Sequence, residues 1–161
     1  MSFKRTLTIL ALAVAGFGQT PAPSPNVPYG ASIGADAAKK IAAAAIAEAR
    51  KNNWAMALAV VDTGGYLVYF ERMPDTQLGS VEVAIEKAKT AVLFRRPTKS
   101  FQDTVAAGGD GLRMLRLPGV VPVEGGIPLI VDGKIIGAVG ASGGSSDQDG
   151  RTAQAGVAGL K

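Results

Sequence analysis

The spacing of apolar positions changes along this chain, and each change marks an element. From Ala35 to Lys51 the residues Ala38, Ile41, Ala42, Ala45 and Ala49 recur at helical spacing, with Lys39, Lys40, Glu48 and Arg50 on a wetter side, which predicts a first helix. So many alanines give that helix a thin face, one that lets a sheet or a second subunit approach closely. Asn52 and Asn53 end it. Trp54 to Val61 is continuously apolar and too short for an independent helix, and Asp62-Thr63-Gly64-Gly65 follows as a tight turn. Tyr66 to Arg72 then alternates and is rich in β-formers, so the two runs predict a hairpin, which Met73-Pro74-Asp75 breaks.

Beyond Gly79, the residues Val81, Ala84, Ile85, Ala88, Ala91 and Val92 recur at three and four positions, with Glu82, Glu86 and Lys89 on another face. This is a second amphipathic helix. Arg95-Arg96-Pro97 interrupts it, because the residue before a proline is pushed out of the helical region. A short third helix is predicted from Pro97 or Thr98 to Ala106, with Phe101 and Val105 inward, after which Gly108, Gly109 and Gly111 open a loop. Val120 to Glu124, Ile127 to Val131 and Lys134 to Ser142 read as three more strands, the last two joined at Asp132-Gly133, a hairpin signal. Asp147 to Leu160 reads as a final helix with acidic residues at the positive end of its dipole. The predicted order is α-β-β-α-α-β-β-β-α. This is an α+β domain whose five-stranded, mostly antiparallel sheet has helices packed on it.

At 161 residues and 47% hydrophobic content, the chain is long enough for one domain with a substantial core. Lys4 and Arg5 precede an apolar run from Leu7 to Phe17, then small residues, the pattern of a secretory signal peptide over residues 1–18. Cleavage is expected after Gly18, with Ala13 and Ala15 offering a second choice. The run is shorter than the roughly 20 residues a membrane span needs, so an uncleaved anchor is the lesser alternative. Residues 19–30 carry Pro21, Pro23, Pro25 and Pro28 and no charge, and read as a disordered leader before a single domain over 31–161. The expected product is exported, periplasmic or extracellular, and without a membrane span once processed.

Removing Lys4 and Arg5 from the 17 basic residues leaves 15 against 13 acidic, so the formal +4 falls to +2. Acids and bases are interspersed and no aromatic-basic alternation offers a base-stacking platform, so no nucleic-acid partner is expected. The chain holds no cysteine and no histidine. Disulfides, thiol redox chemistry and cysteine/histidine zinc sites are therefore impossible, and serine hydrolysis lacks its usual base. Gly133-Lys134 is followed by Ile135 and lies in a hairpin turn, so it is no phosphate loop. Gly109-Asp110-Gly111 lacks the third glycine and the preceding strand of a dinucleotide site.

Glu82 and Glu86 lie four apart and could share a metal ion, although a solvated face with Lys89 as ion partner is the commoner reading of such spacing. Asp147 and Asp149 are expected to stabilise a helix start. Arg95, Arg96 and Lys99 flank the Pro97-Thr98 helix start, where free N–H groups and the dipole favour an anion and guanidinium groups can grip a carboxylate. The same cations could instead be solvated or form salt bridges within an oligomer.

The segments Ala59-Val60-Val61-Asp62-Thr63-Gly64-Gly65, Lys87-Ala88-Lys89-Thr90-Ala91, Arg96-Pro97-Thr98, Gly125-Gly126-Ile127-Pro128-Leu129 and Gly137-Ala138-Val139-Gly140-Ala141-Ser142-Gly143-Gly144, followed by Asp147-Gln148-Asp149, resemble in order and spacing the GlcG/HbpS family of haem-binding proteins. They are also similar to the C-terminal domain of PduO-type corrinoid adenosyltransferases. The resemblance implies a compact domain with a five-stranded antiparallel sheet, assembly into homo-oligomers, and haem binding in some members. It also implies a haem-holding role for Thr98, which matches a threonine after the second helix. With histidine absent, an axial ligand would have to be oxygen, amine or thioether, and Thr98, Lys99, Tyr66, Tyr69, Met73 and Met114 are the candidates.

The function expected from these readings is sequestration or sensing of haem, or a related anionic tetrapyrrole, without catalysis. Arg95, Arg96 and Lys99 would receive propionates, and Phe94, Phe101 and Met114 would cover the flat body in a cleft near the second and third helices. Two alternatives stand beside it. One is a cofactor-free accessory oligomer joined through the alanine-rich helix, and the other is a domain serving corrinoid or small-acid metabolism.

Overall fold

A computed structural model describes residues 26–160 of the chain; the expected signal peptide and most of the Pro-rich leader lie outside the described residues. Four helices, α1 (Ala35–Lys51), α2 (Ser80–Leu93), α3 (Thr98–Ala106) and α4 (Ser146–Ala158), surround four strands, β1 (Ala57–Val61), β2 (Leu67–Arg72), β3 (Gly126–Val131) and β4 (Lys134–Ser142). The sheet order is β2-β1-β4-β3, with every pair antiparallel. A 3-10 helix over Gly109–Arg116 occupies the expected glycine loop.

The α+β class holds, but the sheet has four strands, and the predicted order with three consecutive strands is wrong at Val120 to Glu124. There the backbone donors turn to side chains of helices. The Val121 N–H donates to Thr90 Oγ1 of α2 at 3.0 Å, and the Glu124 N–H donates to Gln102 Oε1 of α3 at 2.8 Å. Pro118 and Pro122 have no N–H to add to a ladder. Apolar, β-branched composition alone therefore misassigned a connector that crosses α2 and α3. On the other side of β4, Pro28, Gly30 and Ile33 exchange backbone hydrogen bonds of 2.8 Å with Ile135 and Ile136, extending the row of β1 past its end. The last residues of the expected leader thus pair with the sheet.

The sheet is the middle of three layers. Leu58, Val60, Leu129, Val139 and Ala141 face α1 and α4, with Ile41, Ala42, Ala45, Ile46 and Ala153 in the same cluster. Ala57, Ala59, Val61, Ile135 and Ala138 face α2 through Ala84, Ala88, Ala91 and Val92. Covering on both faces explains why β1 is a continuous apolar run with every residue buried. The alanine face of α1 is filled from within the chain. Gly156 of α4 lies on it so closely that a Cβ there would come to 3.2 Å from Ile41 and 3.3 Å from Ala45.

Local chemistry fixes the hairpins. Asp62 Oδ1 accepts the N–H groups of Gly64 and Tyr66, both at 2.9 Å, and Gly65 takes φ +83°. Asp132 and Gly133 have φ of +49° and +71°, the paired positive values of a two-residue turn that matches strand twist. Helix α4 begins at a capping box in which Ser145 and Gln148 each take the other's backbone N–H.

The closest approach between layers is at Gly140 of β4, where an added Cβ would overlap the Ala84 carbonyl and lie 2.7 Å from the Ala88 nitrogen. Backbone there cannot yield as a side chain would. Gly140→Ala is expected to lower stability by about 1–3 kcal/mol, the range for overpacking. Urea unfolding measures it, and a loss below about 0.5 kcal/mol would place the variant with neutral surface changes instead.

Candidate functional site

A cavity of about 520 Å³ opens between α3, the entry to β3 and α4. Pro97, Lys99, Ser100 and Asp103 come from α3 and its cap, Glu124 to Ile127 from the approach to β3, and Gly150, Arg151 and Gln154 from α4. Its back wall depends on a buried ion pair. Lys87 on α2 reaches Asp149 on α4 at 2.6 Å, with side chains only 1% and 4% exposed. Lys87 Nζ also donates to the Ala141 carbonyl at 3.2 Å, and Asp149 Oδ1 accepts the Gly144 N–H at 3.0 Å. Burial pushes the Asp149 carboxyl above its ordinary range, while Lys87 and the N–H groups of Gly144 and Gly143 pull it back.

Gly125 and Gly126 pass directly over this pair. Gly125 has φ +131°, and a Cβ on it would lie 2.6 Å from the Ala141 carbonyl oxygen and 2.9 Å from both Lys87 Nζ and Asp149 Cβ. A Cβ on Gly126 would overlap the Lys87 carbonyl. Only glycine allows the chain to run this close. Thr98 holds the same strand from the α3 side, since its fully buried hydroxyl accepts the Gly126 N–H at 2.9 Å.

Of the seven residues expected to hold a cofactor, only Lys99 lines the cavity. Thr98 faces inward, towards Gly126. The Arg95 guanidinium lies 4.5 Å from the ring centre of Tyr29, and that of Arg96 lies 4.6 Å from the ring of Phe101. Phe101 is 1% exposed and meets Phe94 edge-on at 5.6 Å, so both rings belong to the packing behind α3. Met114 is half-buried on the 3-10 helix, outside the cavity lining. Stacking on aromatic faces thus accounts for the two arginines that looked like anion grips.

The cavity's cations are Lys99 and Arg151. Lys99 pairs with Asp103 at 2.7 Å, and that hydrogen bond holds its ammonium above the ordinary lysine range. Arg151 reaches Glu48 at 3.4 Å and lies 4.9 Å from the Trp54 ring centre. Both pairs are exposed, and exposed pairs contribute about 0–1 kcal/mol, so either cation can exchange its partner for a ligand carboxylate. Glu124 also lines the cavity, its carboxyl raised first by burial and further by Asp147 and Asp103, with Lys99 and Lys87 opposing.

Three of these features were missed in the sequence. Lys87 falls at the helical spacing of the buried Ala84, Ala88 and Ala91, so a cation on an apolar face was the available signal. The sequence pattern makes Asp149 a dipole contact at a helix start and places Glu124 in a strand. The other carboxylates match the bland reading: Glu86 pairs with Lys89 at 2.7 Å, Glu82 is exposed, and no group of three potential ligands gathers among the described residues.

A family model described as haem degrading protein HbpS-like matches residues 33–158. The chain belongs to this family. GlcG of Escherichia coli is 44% identical over 105 residues, covering 65% of this chain and 77% of that protein. The crystal structure of a PduOC:haem complex superimposes with a TM-score of 0.72 at 33% identity, covering 80% of this chain and 94% of the other. A double mutant of Streptomyces reticuli HbpS gives a TM-score of 0.73 at 26% identity over 96% of this chain and 97% of that one.

Breaking the buried pair on one side leaves a charge without compensation. Lys87→Met is expected to cost about 3–5 kcal/mol. Adding Asp149→Asn removes the stranded charge and keeps an oxygen for the Gly144 N–H, so the double variant should be more stable than the single one. Urea unfolding of both decides it, and equal or lower stability of the double variant would refute the role given to the charge.

Proposed function

We propose that this protein binds haem in the cavity between α3 and α4 and holds it for sequestration or sensing. The observation that carries the reading is the cavity of about 520 Å³ flanked by two cations whose present partners are weakly held, Lys99 and Arg151. The residues present fit the group. Pro97, Ile127 and the flat Gly125-Gly126 floor offer apolar contact to a planar body, and the cations can take two propionates. The haem complex of the related PduOC, at 33% identity, supports the ligand class. Haem would supply a redox-active iron there, while this chain's part is to bind, orient and shield it.

Hemin titration of the purified protein is expected to shift the Soret band at micromolar concentration. Lys99→Ala and Arg151→Ala should each weaken binding about tenfold or more, as loss of a charge-assisted hydrogen bond does. No spectral change in the unaltered protein would overturn the reading. Sequestration also requires the band to persist on incubation; progressive bleaching would assign the degradative role in the family's description instead.

We further propose that the chain is exported and assembles with copies of itself. Lys4, Arg5 and the apolar run from Leu7 to Phe17 support export. Intact-mass spectrometry of the exported fraction should find a new N-terminus between Val14 and Ala22, and an intact Met1 there would count against it. Any subunit contact must use surfaces other than the alanine face of α1, which α4 covers.

A further inference from the structure

We propose that Glu124 would supply an oxygen ligand to the iron of haem bound in this cavity, an inference that rests on the haem reading above and names the group that would meet the metal. Histidine and cysteine are absent from the chain. The other donors lie elsewhere or are engaged. Tyr66 is 75% exposed on the β1–β2 turn, and the Tyr69 hydroxyl donates to Glu71. Met73 lines a separate depression with Arg50, Trp54 and Pro74, Met114 lies outside the cavity, and the Thr98 hydroxyl is bonded to Gly126. Within the cavity, the Lys99 ammonium has no lone pair to offer a metal, the Ser100 hydroxyl donates to the Pro97 carbonyl, and Asp103 stands at the rim with its side chain 60% exposed.

Glu124 is left. Its backbone N–H is fixed by Gln102, while its carboxylate makes no hydrogen bond or ion pair among the described residues. The side chain lies against Gly150 of α4, where an added Cβ would overlap Glu124 Oε1 and come to 2.7 Å from its carboxyl carbon. Gly150 therefore makes the space this carboxylate occupies. Burial beside Asp103 and Asp147 raises the carboxyl's proton affinity, and a nearby cation would offset that cost. A carboxylate is a hard anionic donor, so it favours ferric over ferrous iron. On ligation an oxygen lone pair forms the bond to ferric iron, any proton on the carboxyl passes to water, and no electron is transferred.

The test compares the full chain with Glu124→Gln and Gly150→Ala, each mixed with hemin and followed by absorbance, electron paramagnetic resonance and the ferric/ferrous midpoint potential. Gly150→Ala displaces the carboxylate without removing it, and circular dichroism checks that both variants fold. Both are expected to lose the ferric ligand signature of the unaltered protein, to raise the midpoint potential, and to weaken hemin binding about tenfold. Lys99→Ala should weaken binding yet keep that signature. If the unaltered protein binds hemin and neither Glu124→Gln nor Gly150→Ala alters the ferric spectrum or the potential, Glu124 is not the ligand and the haem reading survives. If the unaltered protein binds no hemin, both readings fall together.

Discussion

The ion pair between Lys87 and Asp149 lies where α2, the end of β4 and the start of α4 meet, and the neighbouring backbone is arranged around it. A buried pair adds little net stability compared with apolar side chains of the same volume, because both charges lose their water. Its weight is geometric. Once one charge is present the other must stand within hydrogen-bond reach, and the Ala141 carbonyl and Gly144 N–H complete the shell at fixed positions on β4 and its exit. Helix α2 is thereby tied at one point to β4 and α4, through partners 54 and 62 positions further along the chain.

That point determines the shape of the cavity. The strand entering β3 must cross the pair, and at 2.9 Å from the Lys87 ammonium to the site of a Gly125 Cβ there is room for hydrogen alone. Thr98 secures the next residue from the opposite side. The result is a glycine floor with α3 and α4 as walls, rimmed by Lys99 and Arg151. The residues that make the floor possible, Lys87 and Asp149, are buried beneath it.

The same geometry explains why the Arg95-Arg96-Pro97-Thr98 run misled. Arg95 takes φ +55° at the end of α2, and the Arg96 N–H returns to the Ala91 carbonyl, so the chain turns sharply there. The turn sends the two guanidinium groups onto Tyr29 and Phe101, while two residues past the proline Lys99 emerges on the cavity side. Tyr29 itself comes from the segment read as leader, and its position follows from hydrogen bonds of its neighbours to Ile135. No local pattern in the run reveals which aromatic faces await the arginines.

What the sequence by itself determined is whatever depends on neighbours along the chain. The helical periods of α1 and α2, the proline break before α3, the two hairpin turns and the capping of α4 all follow from local stereochemistry and apolar spacing. The absence of histidine and cysteine likewise limited the available chemistry before any fold was known. Only the tertiary structure decided that Val120 to Glu124 crosses helices instead of pairing, that Lys87 meets Asp149, and that Glu124 rather than Arg95 or Arg96 lines the cavity. Each of these depends on hydrogen-bond donors or charges brought together from remote parts of the chain, where burial sets the strength of the interaction and sequence distance carries no information about it.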